Sequence, residues 1–121
     1  MTRTVHAAGA VFLVALAAPA LAHHSAAAFD RTKSVSMTGT VQEFKWTNPH
    51  TWITLAVPDG KGGEQQWVLE GPPLNMMVRT GWNGKTLVNG DKVRLLVAPY
   101  KDGSRRGEFM AVNKNGEYLK F

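Results

Sequence analysis

The chain has 121 residues, a formal net charge of +5 at pH 7 and no cysteine. This length suits one small domain and excludes two. Without cysteine there is no disulfide and no thiolate for catalysis or metal binding, so the fold must depend on a packed core. The mild positive charge permits contact with anionic surfaces but is too small to indicate nucleic-acid binding.

The first 22 residues have the features of a secretory signal peptide. Arg3 precedes an apolar run from Ala7 to Ala18, and residues 19–22 provide small residues at the spacing of a cleavage site. The apolar run is much shorter than the roughly 20 residues that a membrane span needs, and no second apolar segment follows. We therefore expect a periplasmic or secreted protein, without a transmembrane segment, whose mature chain begins at His23 and has 121 − 22 = 99 residues.

Most of the mature chain alternates apolar with polar residues, which is typical of half-buried β-strands. The first such stretch changes parity between Val41 and Phe44, which predicts a bent or bulged strand. A Gly-rich turn at residues 58–63 and the Asn115-Gly116 dipeptide predict hairpins. The predicted strands are 35–44, 51–57, 65–70, 92–100, 108–113 and 117–121, with a shared core of Ile53, Leu55, Val57, Leu69, Val93, Leu95 and Val97.

One short helix is predicted between the third and fourth strands. Leu74, Met77 and Val78 have helical spacing, and Gly81 is suited to a helix C-cap. This order of elements is that of the OB-fold, whose ligands bind against strands two and three and the 1-2 and 4-5 loops. We therefore predict a mainly β, OB-fold-like barrel of five to six strands over residues 35–121, preceded by an N-terminal arm at residues 23–34.

Several short motifs resemble those of a family of small exported bacterial proteins that carry a domain of unknown function. The resemblance extends over the mature chain and implies export and a β-rich fold, but it carries no activity. The matching motifs are Ala22–Ser25, Phe29-Asp30, Thr38–Val41, the Trp-Thr-Asn-Pro-His of Trp46–His50, Gly81-Trp82 and Gly90–Val93.

The three mature histidines are the strongest candidates for chemistry. Asn48-Pro49 favours a turn that holds His50 at the mouth of the second strand. A mature N-terminal His23 offers its α-amine and its imidazole to one ion, and a second imidazole completes a set of three nitrogens that suits Cu(II). We therefore predict copper as the cofactor and His23, His24 and His50 as metal ligands. The alternatives are a solvated N-terminal tail and a turn-closing role for His50.

A metal-free binding module is the competing prediction. In it Trp46, Trp52 and Tyr100 are stacking platforms for a small ligand or an envelope protein, and Arg105 and Arg106 bind anions. Buried tryptophans and a solvated arginine turn are the alternatives for these residues. The chain has no paired-carboxylate or serine-histidine-carboxylate signature, and its Gly-rich stretches are hairpin turns, so binding is favoured over catalysis. A structural role in an envelope complex also remains open.

Overall fold

A computed structural model of the protein describes residues 25–121. The predicted signal peptide and the two histidines that follow it lie outside the described residues. The elements are α1 (Ser25–Ala28), β1 (Val35–Lys45), β2 (Trp52–Pro58), β3 (Glu64–Glu70), α2 (Leu74–Val78), β4 (Lys92–Pro99), β5 (Arg106–Lys114) and β6 (Glu117–Leu119).

The strands form a closed barrel. Their order in the sheet is β3-β2-β1-β4-β5-β6, and an additional pairing of β3 with β5 joins the two sides. This closing pair is parallel and runs from Val68 opposite Arg106 to Glu70 opposite Glu108. Closure satisfies strand edges that would otherwise pair with other chains. The predicted OB-fold-like barrel is therefore confirmed, with β6 as an extra strand beside β5.

The first strand serves two neighbours because it bends. Its first half pairs with β4 and its second half with β2, and the register shifts between Val41 and Glu43. This shift is the predicted bulge, and it turns Phe44 back toward the core. Gly39 lies in the bend, where a Cβ atom would be 2.8 Å from Leu55 Cγ, so only glycine lets the two strands cross this closely.

The barrel interior is filled by the residues that the alternation predicts. Six of the seven predicted core residues are buried, and Val57 is half-buried against the same cluster. Phe109 and Val112 of β5 complete the interior. Met77 of α2 is fully buried and belongs to the same core cluster.

The predicted C-cap ends the short helix in the expected way. Gly81 has φ of 92° and its N–H donates to Val78 O, while Trp82 N–H donates to Met77 O, which is the bond pair of a Schellman motif. Trp82 is buried, and its Nε1 donates to Lys120 O at 2.7 Å, which ties the C-terminal tail to the barrel. Within residues 25–121, no helix is long and apolar enough to cross a membrane.

Candidate functional site

His50 contacts the end of β3 through one ring nitrogen. It follows the cis peptide bond between Asn48 and Pro49, at the end of the connection from β1 to β2. Its Nδ1 lies 3.2 Å from Glu70 Oε1 and 3.1 Å from Gly71 O. Both neighbours are hydrogen-bond acceptors, so the proton of a neutral ring belongs on Nδ1. Nε2 is then the ring nitrogen with a free lone pair.

Glu70 is a buried carboxyl group on the outer face of the barrel. It is the last residue of β3, directly opposite Trp52 on β2 and Glu108 on β5. Its side chain is only 5% exposed, whereas that of His50 is 31% exposed. Burial raises the pKa of the Glu70 carboxyl, as does the charge of Glu108, while His50 and Arg106 act in the opposite direction. His50 thus covers this carboxyl and is its hydrogen-bond partner.

Backbone and hydroxyl contacts fix the position of the His50 loop. Thr51 is fully buried, and its Oγ1 donates to Pro72 O at 2.9 Å. Gly71 N–H donates to Thr51 O at 2.8 Å, so the loop is bonded to the segment that follows β3. A Cβ at Gly71 would overlap the ring of Phe109 and lie 2.5 Å from Thr51 Oγ1. The close approach of the two segments, which places His50 over Glu70, therefore requires glycine.

The segment before β1 is docked on the end of β4. Phe29 is buried, forms an isolated bridge with Tyr100, and packs edge-on against its ring at 5.1 Å. Lys101 N–H donates to Ala28 O at 2.8 Å. Arg31 donates from two nitrogens to the Glu108 carboxylate, each at 3.0 Å. Since Glu108 lies directly opposite Glu70, the N-terminal segment runs beside the His50 site.

Of the five residues predicted to bind a metal-free ligand, Trp52, Tyr100 and Arg106 lie on or beside this face. Trp52 is half-buried and directly opposite Glu70. Arg106 is exposed and its guanidinium lies 4.9 Å from the centre of the Tyr100 ring, a cation–π contact. Arg105 is also exposed, and its carbonyl accepts the Val68 N–H at 3.1 Å, so its backbone helps to close the barrel.

Trp46 belongs to a different cluster. It is half-buried, 5.9 Å from the ring of Phe44, and its side chain lies against Gly84. Phe44 in turn contacts the buried Trp82. Trp46 therefore packs against the hydrophobic core.

Sequence reasoning did not identify Glu70 as a site residue. Alternation places Leu69 inside the barrel and so predicts an exposed Glu70. The hairpin nevertheless contained a signal for the position of Glu70. If Pro58 pairs with Glu64 across the turn, Glu70 is opposite Trp52 and next to the loop that carries His50. Burial follows because that loop folds over the strand end.

A metal ion at His50 would need ligands from elsewhere in the chain. Within residues 25–121, no group of three or more His, Asp or Glu side chains is arranged to hold a metal ion. His23 and His24, the other predicted ligands, lie outside the described residues. Within the described residues, the site thus provides one imidazole in a fixed orientation for a metal ion, that of His50.

These features define a small OB-fold-like barrel with an oriented histidine in its 1-2 loop. The chain belongs to the family of unknown function DUF6152, whose family model matches residues 9–109. No curated protein and no solved structure matches the chain.

Proposed function

We propose that this protein is exported, loses residues 1–22, and binds one Cu(II) ion through His50 and the mature N-terminal His23, with His24 as a further ligand. The observation that carries this proposal is the orientation of His50. Its Nδ1 is held between Glu70 Oε1 and Gly71 O. The nitrogen left for a metal is therefore a defined one, Nε2.

A carboxylate behind an imidazole is the usual support for a metal-binding histidine. Such a partner fixes the tautomer and the direction of the ring, and its loss typically weakens metal binding 10- to 100-fold. Here the supporting Glu70 is buried, while the imidazole that it orients is partly exposed. Imidazole and amine nitrogens suit Cu(II), and the chain has no cysteine to favour a thiolate site.

The position of Phe29 brings the N-terminal arm within reach of this site. Tyr100, to which Phe29 is bridged, follows β4, and β5 separates β4 from β3. With a strand spacing of 4.7–4.9 Å, Glu70 is roughly 10 Å from Tyr100 and roughly 15 Å from Phe29, which is bonded to the edge of Tyr100 that faces away from β5. From Phe29 to His23, one helical turn at Ser25–Ala28 and the chain length on either side of it, at no more than 3.3–3.6 Å per residue, give a reach of roughly 15 Å. His23 is therefore close enough in chain length to reach His50.

Copper titration tests the proposal on three forms of the protein. They are the processed chain, the same chain with His50→Ala, and the processed chain extended by one alanine before His23. The proposal predicts one tight Cu(II) site in the first form and weaker binding with altered EPR spectra in the other two. Equal affinity and unchanged spectra in all three would contradict it.

Two further measurements separate the parts of the proposal. Mass spectrometry of protein from the cell envelope is expected to show a chain that begins at His23, and an intact leader there would contradict both export and a free His23 amine. Glu70→Gln keeps the shape of its side chain but removes its charge, and it is expected to weaken copper binding 10- to 100-fold. Arg79→Gln, an exposed site beyond α2, is the matched control.

The contact between Arg106 and Tyr100 favours a second candidate, a metal-free module for a small anion or an envelope partner. The guanidinium is held at 4.9 Å over the ring, where its outer edge can still donate to an anion. In this case copper would not bind tightly. Anion binding would be lost with Arg106→Gln and retained with His50→Ala.

A further inference from the structure

A polar groove lies at the other end of the barrel from His50. It has a volume of about 440 Å³, and an adjoining hollow of about 410 Å³ shares Thr38 and Lys92 with it. Lys92 is the first residue of β4, whereas Tyr100 follows the last. At about 3.3 Å per residue, these two ends of the strand are roughly 26 Å apart. The groove is therefore separate from the proposed copper site.

Strand register places one row of polar side chains across this surface. Thr38 is opposite Arg94, Arg94 is opposite Asn113, and Asn113 is opposite Tyr118. Directly opposed residues point to the same face of a sheet, with Cβ atoms about 5 Å apart. The row thus crosses β1, β4, β5 and β6 on the outside of the barrel.

Two cations in the groove have no acidic partner among residues 25–121. Lys92 and Arg94 are exposed and two residues apart on one strand, so their Cα atoms are separated by roughly 7 Å. Lys114, by contrast, is 2.8 Å from Asp91 Oδ2 and is neutralised. One strand therefore presents two positive charges, neither of them in a salt bridge within the described residues, at a fixed spacing.

The remaining groups select the kind of anion. Asn113, Asn115 and Thr38 line the groove with amides and a hydroxyl, which both donate and accept hydrogen bonds. The ring of Tyr118 is 56% exposed at the end of the row. Glu64 lines the adjoining hollow, so the surface is not uniformly positive.

We propose that this groove binds an acidic oligosaccharide. Its carboxylates pair with Lys92 and Arg94, its hydroxyls bond to the amides and to Thr38, and one sugar face packs on the Tyr118 ring. A polyphosphate has no neutral group between its neighbouring charges and meets repulsion at Glu64. A sugar chain carries neutral hydroxyl groups between its charges. A carboxylate such as Glu64 can accept hydrogen bonds from those hydroxyl groups. This inference does not depend on copper binding.

Isothermal titration with trigalacturonate tests the proposal, and the fully methyl-esterified trisaccharide is the matched neutral ligand. We expect the acid to bind and the ester to bind at least about tenfold more weakly. Arg94→Gln and Lys92→Gln should each weaken binding of the acid about tenfold, the effect of one lost charge-assisted hydrogen bond. Arg79→Gln and His50→Ala should leave that affinity unchanged. Circular dichroism verifies that the variants are folded.

Backbone NMR locates the binding surface in the same titration. The proposal predicts chemical-shift changes centred on Arg94, Asn113 and Tyr118. It is overturned if the acid does not bind, if the ester or tripolyphosphate binds as tightly, if neither cation variant weakens binding, or if the changes cluster elsewhere.

Discussion

Removing His50 should destabilise the protein because it leaves the buried Glu70 carboxyl without the hydrogen bond from His50 Nδ1. The two groups are 3.2 Å apart, and the Glu70 side chain is 5% exposed. A hydrogen bond to a charged group contributes about 1.5–3 kcal/mol. His50 is 31% exposed, so water replaces part of the contact, and we expect His50→Ala to cost about 1–2 kcal/mol. For a domain of this size, each kcal/mol lowers Tm by about 4–8 °C.

A double-mutant cycle isolates this interaction from other effects of the substitution. His50→Ala, Glu70→Gln and the double variant are unfolded with urea in the absence of metal, and the free energies of unfolding are compared. If His50 stabilises the fold mainly through Glu70, the cost of His50→Ala falls in the Glu70→Gln background, with a coupling energy of about 1 kcal/mol.

The exposed pair of Glu43 and Lys45 is the matched control. Its charged atoms are 3.8 Å apart, and both side chains are 55% exposed. Such surface pairs contribute little to the free energy of unfolding. The same cycle at Glu43 and Lys45 should therefore give a coupling energy below about 0.5 kcal/mol. A coupling energy for His50 and Glu70 no larger than that of the control would refute the reasoning.

Three further predictions concern the barrel. Leu95→Ala should lower the free energy of unfolding by about 3 kcal/mol, since Leu95 is fully buried, and a loss below about 1 kcal/mol in urea unfolding would contradict its place in the core. Gly71→Ala should cost about 1–3 kcal/mol because its Cβ overlaps the Phe109 ring, and a thermal melt like that of the wild type would show that this close approach is absent. The hydrogen bond from Lys114 holds the pKa of Asp91 below its ordinary 3.8, so the stability that Asp91 contributes is present above that pH and lost as the pH falls below it. The difference in stability between wild type and Asp91→Asn should therefore shrink below about pH 3.8, and a difference that stays constant into acid would contradict this pairing.

Local patterns were sufficient to predict the barrel. The alternation of apolar residues and the turn signals between them located the strands to within about two residues, and the change of parity located the bulge between Val41 and Glu43. The glycine positions predicted turns and the helix end correctly because glycine is favoured where the backbone takes a conformation that other residues rarely adopt. Gly81 has the positive φ of a helix C-cap, and Asn115 and Gly116 both have the positive φ of a tight hairpin turn.

The site was harder to predict because it depends on contacts between distant segments. Glu70 is polar and on the outer face, so alternation alone assigns it to solvent. Its burial requires the loop with His50 to fold over β3. Similarly, Phe29 and Arg31 lie in a stretch without periodicity, and it is long-range contacts such as the bridge to Tyr100 and the ion pair with Glu108 that show this stretch to be docked.

The number of histidine nitrogens bound to copper tests the central claim most directly. Cu(II) is added to processed protein labelled with ¹⁵N-histidine, and the nitrogen superhyperfine pattern in the EPR spectrum is compared with that of His50→Ala. The account predicts nitrogen ligation that includes the amine and ring of His23 and the ring of His50, with one imidazole fewer in the variant. The same nitrogen count in both proteins would contradict it.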